Sequence, residues 1–339
     1  MSDILTSLLA ARDCLVADGA MGTNLFEAGL MTGDSPELWN VAHPEKVAAV
    51  HRHMVEAGAD IILTNTFGAN RYRLALHGAE DRVAELNRAG AAIAREVADA
   101  AGRPVVVAGS IGPTGEIYQP VGPLAIADGR AAFAEQAHAL AEGAADVLWI
   151  ETISGAEELE AAVGGAAEAG LPVIATMTFD TNGRTMMGLA PADAVRCARG
   201  LEIGLAAFGS NCGIGPAALV DSLLGIGAAA EAGEIIVAKG NCGIPEYHEG
   251  HIHYTGTPEV MAAYARMARD AGARIVGGCC GTSPVHLAAI AAALKDHTPG
   301  PAPDRAAIEA ALGRLGAGAD ALKRADAAGV QRRGRRRRG

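Results

Sequence analysis

One recurring punctuation constrains this chain more than any other feature. A helical pattern ends on a glycine corner, and a short apolar strand pattern follows at once. It reads Glu56-Ala57-Gly58-Ala59-Asp60 before Ile61-Ile62-Leu63, and Glu142-Gly143-Ala144-Ala145-Asp146 before Val147-Leu148-Trp149-Ile150. It returns as Glu168-Ala169-Gly170-Leu171-Pro172 before Val173-Ile174-Ala175, and as Asp270-Ala271-Gly272-Ala273-Arg274 before Ile275-Val276. Glycine closes a helix because it accepts a left-handed turn, and a β-branched run suits a strand covered on both faces. Followed along the chain, the rhythm predicts strands near 14–18, 60–65, 104–110, 146–151, 172–178, 204–211, 235–239 and 273–278. Helical patterns lie between them, near 44–57, 79–101, 128–143, 155–169, 190–200, 215–232, 257–271 and 283–294. This alternation predicts an α/β fold, a (β/α)8 TIM barrel, with an open doubly wound sheet as the competing arrangement. The first strand runs into Asp18-Gly19-Ala20-Met21-Gly22-Thr23, which is not the glycine fingerprint of a doubly wound sheet.

After about residue 298 the pattern changes. Pro299-Gly300-Pro301-Ala302-Pro303 reads as a linker, so a barrel over 1–298 is followed by a short C-terminal extension over 299–339. An Ala-rich helical stretch is expected within 304–328, and a disordered tail after it. The last nine residues hold six arginines, yet the whole chain carries a net charge of −11. That balance argues against a nucleic-acid binder. No stretch approaches the roughly 20 apolar residues that span a bilayer, and no basic segment precedes an apolar run at the start. A cytoplasmic, reduced protein is expected. Its six cysteines are then fillers, ligands or nucleophiles rather than cross-links. The oligomeric state is left open, a homo-oligomer included.

In a barrel, chemistry collects where strands end. The polar residues fall there: Asp18-Gly19, Thr64-Asn65-Thr66-Phe67-Gly68, Gly109-Ser110-Ile111-Gly112-Pro113, Glu151-Thr152 and Ser210-Asn211-Cys212-Gly213. Strand seven ends at Lys239-Gly240-Asn241-Cys242-Gly243, and strand eight runs into Gly277-Gly278-Cys279-Cys280-Gly281-Thr282. Cys212, Cys279 and Cys280 would then face one mouth. Three thiolates with one open corner is the catalytic form of a zinc site. The plainer readings are a vicinal redox pair, or small buried fillers beside an unrelated third cysteine. Cys242 is an ambiguous fourth thiol, while Cys14 and Cys197 sit in core-like patterns.

Taken in order and in strand context, these motifs closely resemble the zinc-dependent homocysteine S-methyltransferases, over roughly residues 8–297. The resemblance implies a (β/α)8 barrel and Zn2+ held by Cys212, Cys279 and Cys280, with no other catalytic group. It implies that Glu151 accepts the substrate ammonium, and that Asp18 with the Gly19, Ala20 and Met21 backbone completes the amino-acid pocket. Asn65, Thr152 and Asn211 are its further expected contacts. The plainer readings are a charge at a helix start for Glu151 and a turn residue for Asp18.

The segments Lys239–Glu246 and Ile252–Glu259 are similar to bacterial betaine–homocysteine methyltransferases in particular. Glycine betaine is therefore the expected donor, and methionine and dimethylglycine the products. An aromatic face suits a quaternary ammonium at about 0.5–2 kcal/mol, which singles out Trp39, with Tyr247, as donor contacts. Tyr72, Tyr118 and Tyr254 are further candidates. Animal betaine enzymes have tyrosines where this chain has Gly68 and Thr152, so the cage is built differently or the donor differs. The competing donors are methylcobalamin on a separate protein, S-methylmethionine and S-adenosylmethionine. A redox or zinc-binding barrel without catalysis is the reading outside this class. His248, His251 and His253 read as solvated loop.

Overall fold

The computed structural model describes residues 3–248 and 251–315. Its strands are β1 (Leu15–Val16), β2 (Ile61–Leu63), β3 (Val106–Ile111), β4 (Val147–Ile153), β5 (Val173–Met177), β6 (Ala207–Cys212) and β7 (Ile236–Gly240). A two-stranded ribbon follows, β8 (Pro245–His248) with β9 (His251–Tyr254), and then β10 (Ala273–Gly278). The main sheet runs β1-β10-β7-β6-β5-β4-β3-β2, with every pairing parallel. An isolated bridge from Ala17 to Ile61, with Asp18 N donating to Ile61 O at 2.9 Å, joins β1 to β2. The sheet therefore closes on itself as a (β/α)8 barrel, and the open doubly wound alternative is set aside.

The helices are α1 (Ile4–Ala11), α2 (Gly22–Glu27), α3 (Trp39–Ala42), α4 (Pro44–Glu56), α5 (Arg71–Ala75), α6 (Val83–Asp99) and α7 (Ile126–Glu142). Then come α8 (Ala156–Ala167), α9 (Pro191–Arg199), α10 (Pro216–Ala229), α11 (Pro258–Asp270), α12 (Pro284–Lys295) and α13 (Arg305–Leu312). Alternate strand residues face two different cores. Leu15, Ile61, Val106, Val147, Trp149 and Ile275 fill the barrel, whose N-terminal end is plugged by Leu5 and Leu8 of α1. Val107, Leu148 and Ile150 point outward, where Phe133 and Leu140 of α7 and Leu159 of α8 join the same cluster. Each such side chain contributes about 1.5–3 kcal/mol on burial. Burial on both faces is why the strands read as unbroken apolar runs.

The ribbon is where the sequence reading expected a loop. His248 pairs with His251, and Tyr247 with Ile252, as an antiparallel hairpin. Polar histidines hide its alternation. The described part of the extension is docked rather than detached. Ile308 of α13 is fully buried, Arg305 Nε sits 2.7 Å from Asp221, and Asp270 holds His297 at 2.7 Å and Gly300 N at 2.8 Å. The arginine-rich tail lies outside the described residues. Among those described, no helix is long and apolar enough to cross a membrane.

His51 on α4 is fully buried and neither ring nitrogen has a partner among the described residues. Burial pushes its pKa down from 6.5 to about 4. Below pH 6.5 the unfolded chain takes up a proton that the native state refuses, so stability falls as pH drops from 6.5 towards 4. The loss attributable to this residue is about 3 kcal/mol by pH 4. Urea unfolding of a His51→Leu variant should show a correspondingly smaller drop across that window. Equal drops in both proteins would assign the acid sensitivity to other groups.

Candidate metal centre and substrate pocket

Cys212 is the last residue of β6, and Cys279 and Cys280 follow β10; β7 lies between those two strands. Cys212 Sγ stands 3.0 Å from Cys279 Sγ and 3.8 Å from Cys280 Sγ. All three sulfurs lie within 4.8 Å of one another, and no other set of three metal-binding side chains is so grouped among the described residues. Bonds of about 2.3 Å to a tetrahedral zinc place sulfurs about 3.8 Å apart, so the triangle fits such an ion. Cys242 is turned elsewhere: its Sγ faces Gly256 O at 3.5 Å, and burial pushes its thiol up to about 11.

Local backbone chemistry explains the convergence. Cys212 adopts φ 59°, the left-handed region, which costs a non-glycine residue about 1–2 kcal/mol. The strand end curls there and carries the thiol towards β10. At Gly277 an added Cβ would stand 2.5 Å from Ala17 O, so only glycine lets β10 lie this close to β1. Tyr264 of α11 staples two strand ends: its hydroxyl accepts from Gly240 N at 2.9 Å and donates to Gly277 O at 3.2 Å. Asn241 spans both thiol-bearing loops. Its Oδ1 accepts from Cys280 N at 3.0 Å and its Nδ2 donates to Gly213 O at 2.6 Å. Tyr254, at the end of β9, packs over Gly281 and hydrogen-bonds Cys280. Hydrogen bonds to Cys279 and Cys280, then burial, hold Cys212 well above the ordinary thiol value, whereas those from Cys212 and Cys279 draw Cys280 below it.

Below the thiols lies a charged floor. Glu151 of β4 is buried; Ser110 Oγ donates to its Oε1 at 2.6 Å, and Oε2 has no partner among the described residues. Burial, partly offset by Lys239, pushes its carboxyl up to about 7. Asp18 accepts from Leu63 N at 2.7 Å on Oδ2 and from Lys239 Nζ at 2.5 Å on Oδ1. Lys239 is 2% exposed and lies 5.6 Å from the centre of the Trp149 ring. Burial works against its charge, but Asp18 and Glu151 outweigh that and hold it above the ordinary lysine value. Breaking such a pair from one side costs about 3–5 kcal/mol. Sequence reasoning gave no role to Lys239 or Asn241. The available signal was polar side chains ending an otherwise apolar strand.

The other expected residues divide. Asn211 reaches the centre: it grips Thr152 through its N and Oγ1, both at 2.8 Å, and its Nδ2 lies 3.8 Å from Cys279 Sγ. Thr152 also has a left-handed φ, 66°. Near Asp18, the Ala20 amide is committed to Thr282 O at 3.1 Å, while the Gly19 and Met21 amides have no acceptor among the described residues. Asn65 spends its amide hydrogens on Pro36 O at 2.7 Å and Asn40 Oδ1 at 2.9 Å, clipping the loop that carries Trp39. The Trp39 ring is 9% exposed, meets His43 edge-on, and has Lys46 Nζ 4.5 Å from its centre. Tyr247 lies on β8 of the ribbon. Gly68 donates its N–H to buried Glu37 at 2.7 Å, and an added Cβ would stand 2.8 Å from that carboxylate.

The family model for homocysteine S-methyltransferases matches residues 15–294. This chain belongs to that family. Methionine synthase of Mycobacterium tuberculosis is 35% identical over 306 residues, covering 86% of this chain and 25% of the relative. Its counterpart from Mycobacterium leprae is 33% identical over 309 residues, with the same coverage of 86% and 25%. The chain thus spans about a quarter of the length of those curated relatives. The homocysteine methyltransferase MmuM of Escherichia coli, in its metallated form, superposes with a TM-score of 0.72 at 26% identity, covering 86% of this chain and 99% of that one. Within this homocysteine S-methyltransferase family member, Asn241 is the tie between the two cysteine loops. Asn241→Ala should therefore weaken zinc binding by about 10–100-fold while the fold persists. Competition with a chromophoric chelator measures it; unchanged affinity would show that the loops hold themselves.

Proposed function

We propose that this protein transfers a methyl group to the thiol of homocysteine at a zinc ion held by Cys212, Cys279 and Cys280. The observation that carries the reading is the thiol triangle together with a buried carboxylate oxygen, Glu151 Oε2, that no group among the described residues uses. A zinc ion bound by three thiolates supplies a Lewis-acid corner at which an incoming thiol stays deprotonated and nucleophilic. The chain's own residues do the rest. Glu151, oriented by Ser110, accepts from the substrate ammonium as a charge-assisted hydrogen bond. The open Gly19 and Met21 amides are donors for its carboxylate. Asn211 holds the Thr152 strand end against the cysteines and fixes the wall between the amino-acid end and the sulfur. Low exposure around Asp18, Glu151 and Lys239 keeps water from the pocket floor. The thiol proton would be released to solvent when the sulfur binds, so the methyl-transfer step itself moves no proton, and its rate comes from holding sulfur and methyl carbon in line.

For the donor we infer glycine betaine, on the similarity of the Lys239–Glu246 and Ile252–Glu259 segments to bacterial betaine enzymes. The thiolate sulfur forms a bond to a betaine methyl carbon, the carbon–nitrogen bond breaks, and nitrogen keeps the electron pair as dimethylglycine. With Gly68 occupied by Glu37 and Lys46 over the Trp39 ring, further walls around the quaternary ammonium are needed beside Trp39. Tyr247 and Tyr254, which lie on the two ribbon strands, are sequence candidates that remain for them. A second reading, another methyl donor, is favoured by the 35% identity to a methionine synthase. The thiol centre also calls for a reducing compartment such as the cytoplasm.

The test is zinc-loaded protein with homocysteine and each donor in turn. Betaine should give equal amounts of methionine and dimethylglycine. Methionine from methylcobalamin, S-methylmethionine or S-adenosylmethionine, with none from betaine, would replace the donor and keep the chemistry. Cys279→Ala should lose both the zinc and all methionine formation. A metal-free protein that retains activity, or cycles a 279–280 disulfide instead, would contradict the zinc reading.

A further inference from the structure

The pocket floor contains a cation that methyl transfer does not require. Among the described residues, Lys239 is the one buried lysine or arginine. Its ammonium faces two carboxylates with different fates. Asp18 is consumed, with Lys239 on one oxygen at 2.5 Å and Leu63 N on the other at 2.7 Å. Glu151 has one oxygen held by Ser110 at 2.6 Å and the other open, and no ion pair joins it to Lys239. Without a cation, two buried carboxylates on one floor would repel each other and compete for any ammonium that entered. With Lys239 in place, the three groups sum to one negative charge, which suits a single ammonium.

We propose that Lys239 is a positioning residue: by claiming Asp18 it leaves Glu151 as the single anionic acceptor, and so fixes where the amino group of the thiol substrate sits. Lys239 touches no substrate atom in this role and acts through Asp18. The register places it for the task, since Lys239 on β7 pairs with Asn211 on β6 and Gly277 on β10, the positions that lead into the cysteines. The amino-acid end and the sulfur are thereby referenced to the same strand. The inference rests on the homocysteine reading of the pocket.

Calorimetric titration of the zinc-loaded protein tests it without any methyl donor. The probes are homocysteine and 4-mercaptobutanoate, the same thiol acid without the amino group. In the wild type, Glu151→Gln should cost homocysteine about 10-fold or more and leave 4-mercaptobutanoate within about threefold. In a Lys239→Met background Asp18 is released as a second acceptor, so the same Glu151→Gln change should cost homocysteine less than about threefold. In a Lys239→Arg background, where Asp18 remains claimed, the full cost should return. Should Lys239→Met fail to fold, the neutral pair Asp18→Asn with Lys239→Met carries the test: the preference for homocysteine over 4-mercaptobutanoate survives in it and vanishes once Glu151→Gln is added. An equal cost of Glu151→Gln in the wild-type and Lys239→Met backgrounds overturns the proposal. So does loss of the homocysteine preference in the neutral pair. Homocysteine binding with the wrong coupling overturns this inference alone, whereas no homocysteine binding by the wild type overturns the pocket reading as well.

Discussion

Three thiols on two strands that never pair are brought within bonding reach by the strand between them. Everything else at the mouth depends on β7 keeping that spacing. Its register sets Gly240 beside both Cys212 and Gly278, and its next residue, Asn241, ties the two loops together. Tyr264 then locks β7 to β10 from the helix side. A barrel makes such a spacing rigid, because no strand has a free edge along which to slip. The left-handed backbone at Cys212 is affordable in this setting: about 1–2 kcal/mol of local strain is small against the surrounding closed sheet.

The second constraint is electrostatic. Carboxylates are placed under a cluster of thiols, where burial opposes every one of their charges. Lys239 offsets part of that cost, and its pairing with Asp18 differentiates two acids that the sequence presents alike. One becomes a structural partner; the other keeps one carboxylate oxygen unpaired among the described residues. The polar wall of Asn211 and Thr152 links this floor to the sulfur layer above it. The pocket thus sets buried charge one register step before the strand ends that carry the three thiols.

Much of this was legible from residues alone, for identifiable reasons. All eight barrel strands and the long helix after each announced themselves, because strands covered on both faces are apolar throughout and glycine corners punctuate the alternation; the short helices α1, α2, α3 and α5 did not. The cysteine cluster was legible because strand ends are where a barrel gathers polar groups. What stayed hidden depends on contacts between distant segments. Whether Lys239 points inward or outward is decided by barrel register, and its partner lies 221 positions away in the chain. The role of Asn241 likewise exists only where two loops meet. Trp39 was expected to face a donor cation; the cation that the structure places over its ring is the protein's own Lys46, a contact no sequence pattern announces. The ribbon escaped notice because histidines broke the apolar alternation that marks a strand.

The central claim is that Cys212, Cys279 and Cys280 hold one zinc ion with a corner left for a substrate sulfur. X-ray absorption at the zinc edge reads that ligand set directly. It should show three sulfur ligands and one lighter atom in the resting protein, changing to four sulfurs when homocysteine is added. A spectrum dominated by nitrogen and oxygen, or three sulfurs that homocysteine leaves unchanged, would contradict it.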